Sequence, residues 1–499
     1  MAAVFCSLAE PALADFPVQY PVERSVRLHP PPPTSGFTIF PDKPKQVIRG
    51  FGFEIQSDSI ISGNTGLSSD ATSVPHDLVP AERERFYQEM LKGFRYCRLA
   101  GGLYWRGLDK EQKNLQGRWP DQAGELRDML TQAGLEGVSF EYWSPAPFWK
   151  ANQKFTGGDH SENVLRCFGT NFANDPEYKD DTNRFLADFA KACRQDLETL
   201  TTNGIHVSMW GLKNEPPGDN PYSSCVFTPE NYSRTFLSVA PQIRELDPKI
   251  EILADTAFSW DFKFIRKVLD DPKQANLVDS LVIHQVGADA NVVLAIPPEK
   301  TGKPRFENEF EYLDGPASPA RCLNTVQYIM NWFQIGAAPA WFWIHALKPI
   351  GNSEASGYSL GFWRPLSDTN SPDNPKFPGL KPGHWTWNKY NWNAVGSFVR
   401  HMPWDCQAVE VQEDGPDNDL RILVFKKPDG KLTVVLSNRS FAPHAFRVAT
   451  GLPGAKFKGY RYTPDEAGED CKGKEIGTLA GPVITPLVGD LSWEFWEQQ

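Results

Sequence analysis

The sequence has few features of a metal-binding protein and none of a basic nucleic-acid-binding protein. Only 8 of its 499 residues are cysteines, and no two of them have CxxC spacing, so a structural zinc site is not expected. Acidic residues outnumber basic ones, 62 to 51, and the net charge of −11 argues against nucleic acid or an anionic membrane as a partner. No apolar run approaches the roughly 20 residues of a membrane-spanning helix. The chain is long enough to bury a large core.

The cysteines do not decide the redox compartment. They are Cys6, Cys97, Cys167, Cys193, Cys225, Cys322, Cys406 and Cys471. Two disulfides are conceivable, Cys167 with Cys225 and Cys406 with Cys471, and free thiols are the alternative that we favour.

The N-terminus contains a small-x-small pattern. Ala12-Leu13-Ala14 before Asp15 resembles a signal-peptidase site, although no basic segment precedes it and Glu10 and Pro11 interrupt the apolar run. We expect a secreted or periplasmic protein, and a cytoplasmic protein with an ordinary leader is the alternative.

Strand-like and helix-like segments alternate along most of the chain. Residues 1–35 form a Pro-rich leader, and the alternation runs from Gln46 to about Arg400. The predicted strands are Gln46–Gln56, Phe94–Ala100, Val138–Trp143, His206–Asn214, Glu251–Asp255, Leu277–Gln285, Arg305–Glu311 and Ala340–His345. About eight such units predict a closed (β/α)8 barrel, the TIM barrel, over residues 46–400. Short strands separated by turns predict an all-β unit over residues 401–499.

Polar residues at the C-terminal end of the fourth strand are the strongest indication of chemistry. Active sites of such barrels lie at the C-terminal ends of the strands, and this strand ends in Asn214-Glu215-Pro216. Cleaving a glycosidic bond needs two carboxyl groups, and Glu215 suits the role of acid/base. Asn214 can hydrogen-bond the sugar hydroxyl at C2. A surface glutamate in a loop is the alternative interpretation.

The second carboxyl group is expected on the seventh strand. Glu307, Glu309 and Glu311 share a parity and should point to one side of an ideal strand. We choose Glu309 as nucleophile, with Glu311 as the runner-up. A retaining mechanism predicts carboxyl groups about 5–5.5 Å apart. The anionic partner would then raise the pKa of Glu215.

Several motifs together resemble glycoside hydrolase family 30, a family of retaining (β/α)8 glycosidases. Asn214-Glu215-Pro216 is similar to its acid/base motif, and Gln46–Gly52 to its first strand. Arg98 falls where the family has an arginine on strand two, and Ser144–Lys150 resembles its Ser-Pro-Pro-x-Trp-Met-Lys signature. Gly396–Pro403 resembles the exit from its last helix.

The resemblance implies a barrel fused to a β-sandwich side domain. In it, residues 36–45 would form the N-terminal strand of the sandwich and residues 401–499 the remainder. The sequence departs from the family at Phe53 and Glu54, where small residues are more usual, and at Asn308, where the family often has threonine.

Other side chains are candidates for substrate binding, each with a structural alternative. His284 ends the sixth strand and by resemblance lies in the cleft, and a buried core histidine is the alternative. On the eighth strand, Trp341 and Trp343 should alternate inward, and one of them could form the floor beneath the sugar. Barrel core is the alternative for both. The remaining candidates are Trp143 and Trp149 at the mouth of strand three, and Lys150 and Arg98 as anchors for acidic groups of the substrate or of Glu309.

The sequence therefore predicts a retaining β-glycoside hydrolase that needs no metal or other cofactor and acts on a carbohydrate. The alternatives are an endo-acting β-1,6-galactanase, glucanase or xylanase-type enzyme, an inverting hydrolase, and a non-catalytic carbohydrate-binding protein on the same scaffold. The sugar, the linkage and the oligomeric state stay open, because loop shape cannot be read from the sequence.

Overall fold

A computed structural model describes residues 35–55, 77–101, 122–158, 162–296, 300–312, 315–350, 359–366, 368, 377–415 and 417–499. The predicted leader lies outside the described residues except for its last position, Ser35. Cys6 and the motif at Ala12–Ala14 belong to this part of the chain.

Eight parallel strands close into a barrel, as predicted. The first strand of the chain, β1 (Ser35–Ile48), belongs to a second sheet, and β2–β9 form the barrel. The barrel strands are β2 (Gly50–Ile55), β3 (Tyr96–Gly101), β4 (Gly137–Tyr142), β5 (Val207–Gly211), β6 (Glu251–Ala257), β7 (Ser280–His284), β8 (Arg305–Phe310) and β9 (Ala340–Pro349). Closure comes from β9, which pairs with both β8 and β2. The TIM-barrel fold with a side β domain is confirmed.

Helices follow most barrel strands and cover the outside of the barrel. They are α1 (Pro80–Arg85), α2 (Gln122–Ala133), α3 (Thr182–Thr202), α4 (Pro229–Leu246), α5 (Arg266–Leu269), α6 (Pro272–Ala275), α7 (Pro319–Gln334) and α8 (Lys389–His401). Side-chain oxygens of Asp181, Thr228 and Ser318 accept hydrogen bonds from backbone N–H groups in the first turns of α3, α4 and α7. Between β6 and β7, two short helices, α5 and α6, take the place of one longer helix.

The chain passes between the two sheets at a glycine. β1 pairs antiparallel with β12 (Cys406–Asp414) as far as Ile48, so Gln46–Ile48 belong to the second sheet and not to the first barrel strand as predicted. Gly50 begins β2 with φ +145°, a conformation that few other residues adopt. This turn explains why one continuous apolar stretch is divided between two sheets.

The second sheet carries the C-terminal part of the chain. Its strand order is β17-β16-β20-β14-β13-β12-β1-β15-β18, and β19 pairs with β15. The remaining strands of this sheet are β13 (Leu420–Lys426), β14 (Leu432–Asn438), β15 (His444–Ala449), β16 (Lys456–Tyr462), β17 (Lys474–Ala480), β18 (Val483–Ile484), β19 (Leu487–Val488) and β20 (Ser492–Gln498). A separate apolar core, including Phe37, Val434 and Phe446, supports it. At the barrel mouth, β9 also pairs with β10 (Ser359–Trp363), which pairs with β11 (Trp385–Trp387).

Seven cysteines fall within the described residues, and all seven are buried, free thiols. Neither Cys167 with Cys225 nor Cys406 with Cys471 forms a disulfide in this structure. None of the helices in the described ranges is long and apolar enough to cross a membrane.

Candidate active site

The turn after β5 presents Glu215 through a strained backbone. Glu215 has φ +49°, and Asp255 and Thr256 at the end of β6 have φ +79° and +46°. Such values are unusual for residues other than glycine and are often found at functional sites. Two hydrogen bonds hold the turn between its neighbours, from Asn214 N to Tyr142 O at 2.8 Å and from Glu215 N to Thr256 O at 3.0 Å.

A bulge in β8 places Glu309 inside the barrel. Ile283 pairs with Glu307 and His284 pairs with Glu309, so Asn308 is an extra residue in the ladder. Glu307 consequently faces the helices, where its carboxylate accepts hydrogen bonds from Tyr328 Oη at 2.8 Å and Gln285 N at 3.1 Å. The shared parity predicted for Glu307 and Glu309 is therefore wrong.

His284 lies between the two candidate carboxylates. Its Nδ1 is 3.1 Å from Glu215 Oε1 and 3.6 Å from Glu309 Oε2. Ligand-type atoms of the three residues all lie within 4.8 Å of one another. The two carboxyl groups thus face each other across a narrow gap at the C-terminal end of the barrel.

The guanidinium group of Arg98 contacts the acidic side chains on one side of this gap. Arg98 is buried, and its Nη1 donates to Glu54 Oε2 at 2.6 Å and also to Glu309 Oε2. Its Nε and Nη2 donate to Glu141 Oε2, and Nη2 also contacts Asn214 Oδ1. Arg98 therefore contacts three carboxylates and the amide beside Glu215.

The charges on Glu215 and His284 are coupled. Burial opposes a charge on His284, yet the carboxylates of Glu309 and Glu215 raise its pKa to about 9. Burial also works to raise the pKa of Glu215, but the hydrogen bond and charge of His284 outweigh it and lower that pKa. This lowered pKa differs from the raised pKa that the sequence predicted for Glu215. The structure differs because an imidazolium stands between the two carboxylates and offsets the effect of Glu309.

Glu311 occupies a different environment from Glu309. It lies just beyond β8, is buried, and its Oε2 is 3.5 Å from His345 Nε2. Burial, with Glu309 nearby, raises the pKa of Glu311 well above the ordinary value. A protonated carboxyl group is a poor nucleophile, so this environment favours Glu309 for that role.

The tryptophans predicted on the last barrel strand face the opposite way from the prediction. Phe342 stacks on Tyr96 and Phe306, with ring centroids 5.9 Å apart in both pairs. Since β3 and β8 are not adjacent, these rings meet inside the barrel. Trp341 packs instead against Phe51 in the layer beneath the helices, and Trp343 has the same parity as Trp341. Both side chains are fully buried, as barrel core would be.

Of the three candidates that follow β4, Trp149 and Lys150 are held by contacts away from the gap. Trp149 packs on Phe185 and Phe189 of α3, with ring centroids 5.5 Å apart in both pairs, and lies outside the gap. Lys150 is buried and donates to the carbonyl oxygens of Phe155 and Ser224, so it fixes loops to each other. Trp143 follows β4 directly and contacts the ring of Tyr222.

Sequence reasoning missed several side chains at this end of the barrel. Glu54, Glu141 and His345 are buried beside Arg98 or Glu311, and Phe258 packs edge-on against His284 with 40% of its surface exposed. Glu54 and Glu141 could have been found, because each is an acidic residue near the end of an otherwise apolar barrel strand. Phe258 follows β6 without any motif, so no signal marked it.

The three residues that meet at the gap also resemble the ligands of a metal site. Glu215, His284 and Glu309 have a suitable set of ligand atoms. However, Arg98 already neutralises Glu309, and His284 carries a raised pKa, so the site more closely matches a pair of catalytic carboxylates than a cation site.

A cavity of about 590 Å³ opens at the other end of the barrel. Its arginines are engaged in ion pairs, Arg49 with Glu251, Arg95 with Glu136 and Arg244 with Asp279. Within the described part of the chain, the acids Glu136, Glu251 and Asp279 that line this cavity are therefore all engaged in ion pairs.

Comparisons with known proteins rest on structure. No protein-family profile matches the sequence, and no curated protein matches it. The catalytic domain of the GH30 xylanase C from Talaromyces cellulolyticus matches with a TM-score of 0.69 at 15% identity, covering 93% of this chain and 100% of that chain. This chain has the fold of glycoside hydrolase family 30 structures.

Other solved structures agree with this fold. SrfJ from Salmonella typhimurium matches with a TM-score of 0.67 at 14% identity, covering 95% of this chain and 94% of that chain. The endo-β1,6-glucanase BT3312 matches with a TM-score of 0.64 at 14% identity, covering 93% of this chain and 94% of that chain. The resemblance to family 30 inferred from the motifs is therefore confirmed at the level of fold.

Proposed function

We propose that the protein is a retaining β-glycoside hydrolase with Glu215 as acid/base and Glu309 as nucleophile. The observation that carries this proposal is the close approach of the two carboxyl groups: one oxygen of Glu215 and one oxygen of Glu309 lie within 4.8 Å of each other and of a ring nitrogen of His284. Retaining glycosidases have carboxyl groups about 5–5.5 Å apart, whereas inverting enzymes need about 6.5–9.5 Å to admit a water molecule. The short separation favours retention.

The first step transfers the sugar to the protein. Glu309 attacks the anomeric carbon, the bond from that carbon to the leaving oxygen breaks, and Glu215 gives its proton to that oxygen. Water then attacks the anomeric carbon and gives a proton to Glu215 as the bond to Glu309 breaks. The product keeps the configuration of the substrate.

His284 keeps a proton available for the first step. With a pKa of about 9 on His284 and a lowered pKa on Glu215, the pair holds one proton at neutral pH. When the leaving oxygen approaches, this proton passes from His284 Nδ1 to Glu215 Oε1 along the 3.1 Å hydrogen bond, and Glu215 delivers it to that oxygen. The proton that water later gives to Glu215 restores the pair. The imidazole of His284 thus holds the proton that Glu215 donates as the general acid.

Arg98 and Asn214 hold the nucleophile and the sugar. The guanidinium of Arg98 donates a hydrogen bond to Glu309 and orients it, and it fixes Asn214 through the amide oxygen. The Asn214 amide nitrogen then remains to donate to the hydroxyl at C2, where hydrogen bonds strengthen in the transition state. Among the solved structures of this fold are xylanases and an endo-β1,6-glucanase, so β-linked plant and microbial polysaccharides are the first substrates to test.

A hydrolysis panel tests this proposal. Purified protein is assayed with aryl β-glycosides of glucose, xylose, galactose, fucose and glucuronic acid, and with β-1,6-glucan, β-1,6-galactan and xylan. We expect turnover of at least one substrate, lost in Glu215→Gln, with oligosaccharide products if the enzyme is endo-acting. If wild type and E215Q were equally inert on every sugar, the non-catalytic binding protein would be the better account.

Export of the chain is a separate proposal. It rests on Ala12-Leu13-Ala14, and one structure of similar fold is named a conserved exported protein from Bacteroides fragilis. N-terminal sequencing of protein recovered from the periplasm or the medium would detect a new terminus at Asp15, whereas an intact Met1 terminus confined to the cytoplasm would contradict export.

A further inference from the structure

Glu54 is a buried acid that the two-carboxylate mechanism does not use. It lies on β2, in register with His345 of β9 and beside Arg98 of β3, and 1% of its surface is exposed. Its Oε2 accepts a hydrogen bond of 2.6 Å from Arg98 Nη1, the same nitrogen that donates to Glu309. Glu54 and Glu309 are therefore linked through a single NH2 group.

The charges around Arg98 do not balance if every acid is ionised. Three carboxylates, those of Glu54, Glu141 and Glu309, contact one guanidinium in a buried site. The charge of Lys348 also acts on Glu54, and the raised pKa of Glu311 keeps that neighbouring acid protonated, so two cations face three carboxylates. Like charges in one buried site cannot all persist, so one acid must retain a proton.

The contacts identify the protonated acid. Glu309 must be ionised to attack, and Glu141 receives two nitrogens of Arg98, with distances of 3.1 and 2.5 Å to Oε2. Glu54 receives only Nη1, which it shares with Glu309. The Oε1 atoms of Glu54 and Glu141 are both buried without a hydrogen-bond partner among the described residues, so the number of Arg98 nitrogens distinguishes the two acids. Burial raises the pKa of Glu54 to about 8, although Arg98 works to lower it.

We propose that Glu54 is a positioning residue for the nucleophile, a neutral acid that accepts a hydrogen bond from Arg98 and thereby aims the guanidinium at Glu309. This inference rests on the proposed function. The proton resides on Oε1, the oxygen that Arg98 does not contact. When Glu54 ionises, it competes with Glu309 for Nη1 and repels the nucleophile through a gap of at most about 5 Å, as both oxygens contact the same nitrogen.

Kinetics of two variants test the role. Glu54→Leu removes the acceptor, and we expect kcat to fall at least tenfold with KM changed less than threefold, on the 4-nitrophenyl β-glycoside that the wild type turns over fastest. Glu54→Gln restores a neutral acceptor and should recover most of that loss. Because glutamine cannot ionise, the alkaline limb of its kcat/KM profile should move to higher pH.

Glu307→Gln is the matched control. Glu307 is equally buried in the same barrel, and burial raises its pKa to about 8 as well, but it faces Tyr328 on the helix side. We expect the E307Q profile to keep the wild-type alkaline limb. A wild-type kcat in E54L, or an alkaline limb in E54Q identical to that of wild type and E307Q, would overturn the proposal.

A titration without substrate separates this inference from the proposed function. In protein labelled with [5-13C]glutamate, the carboxyl resonance absent from E54Q belongs to Glu54. We expect it to titrate near pH 8. A Glu54 carboxyl already ionised at pH 6 would overturn the inference even if the enzyme were active, and the titration decides the point even if no panel substrate is cleaved.

Discussion

Replacing Arg98 by methionine is expected to destabilise the protein and abolish activity together. Methionine fills much of the same volume without charge, so the variant leaves Glu54, Glu141 and Glu309 buried with no guanidinium between them. Removing one partner of a buried ion pair typically costs about 3–5 kcal/mol, because the remaining charge has lost its compensation. With three acids on one cation, we expect a loss at the upper end of that range.

The pH dependence distinguishes lost charge compensation from lost packing. Burial raises the pKa of Glu54 to about 8, so this acid is neutral at pH 5 and increasingly ionised above pH 8. The destabilisation of R98M should therefore be smaller at pH 5 than at pH 8.5. A packing defect would cost the same at both values.

Urea denaturation followed by tryptophan fluorescence measures this effect. The midpoint shift at each pH, multiplied by the slope common to both proteins, gives the change in the free energy of unfolding. Arg98→Lys is the companion variant, since it keeps a charge but cannot contact three carboxylates at once. If R98M unfolded at the wild-type midpoint at pH 8.5, the acids would not depend on Arg98 as described.

Three further variants give four predictions. Glu215→Gln should lower kcat/KM by about 10²–10⁴-fold on substrates with poor leaving groups, and much less on 2,4-dinitrophenyl glycosides, which need no protonation; an equal loss on both would contradict the acid role. His284→Gln should move the alkaline limb of kcat/KM to lower pH, because the proton that the pair retains up to about pH 9 would then be held by Glu215 alone, and an unchanged limb would contradict the shared proton. Because the pKa of His284 is raised from its ordinary value to about 9, its positive charge should also stabilise the folded protein. This contribution is complete below about pH 6.5 and is lost as the pH rises through about 9. The difference in thermal midpoint between wild type and H284Q across that range measures it. Gly52→Ala should destabilise by about 1–3 kcal/mol in urea denaturation, because its Cβ would come within 2.1 Å of the Phe342 ring, and a neutral effect would show that this ring can move.

The barrel and the position of Glu215 could be predicted because they depend on local sequence. Apolar strands alternating with amphipathic helices determine the fold class, and Asn214-Glu215-Pro216 follows its strand directly. Strand ends could also have indicated Glu54 and Glu141. The direction of side chains on β8 could not be predicted, because the bulge at Asn308 changes the parity after it. The bulge of β9 at Ile344 lies beyond Trp341 and Trp343, so it does not account for the direction of those two side chains.

The surroundings of Trp149 and Lys150 could not be predicted from the sequence either. Both follow β4 at the mouth of the barrel, yet α3 and the loop at Ser224 contact them and remove them from the gap. These contacts join residues more than 30 positions apart, and no local pattern records them. The same holds for the tryptophans of β9, because a tryptophan is equally common in a barrel core and in a surface that stacks against a sugar.

Trapping of the covalent intermediate tests the central claim most directly. The protein is incubated with a 2,4-dinitrophenyl 2-deoxy-2-fluoro-β-glycoside of the sugar that it hydrolyses, and the labelled peptide is mapped by mass spectrometry. The account predicts one label per chain, on Glu309, with release of one equivalent of dinitrophenol. A label on Glu311, or continued turnover of the normal substrate with no covalent adduct, would contradict it.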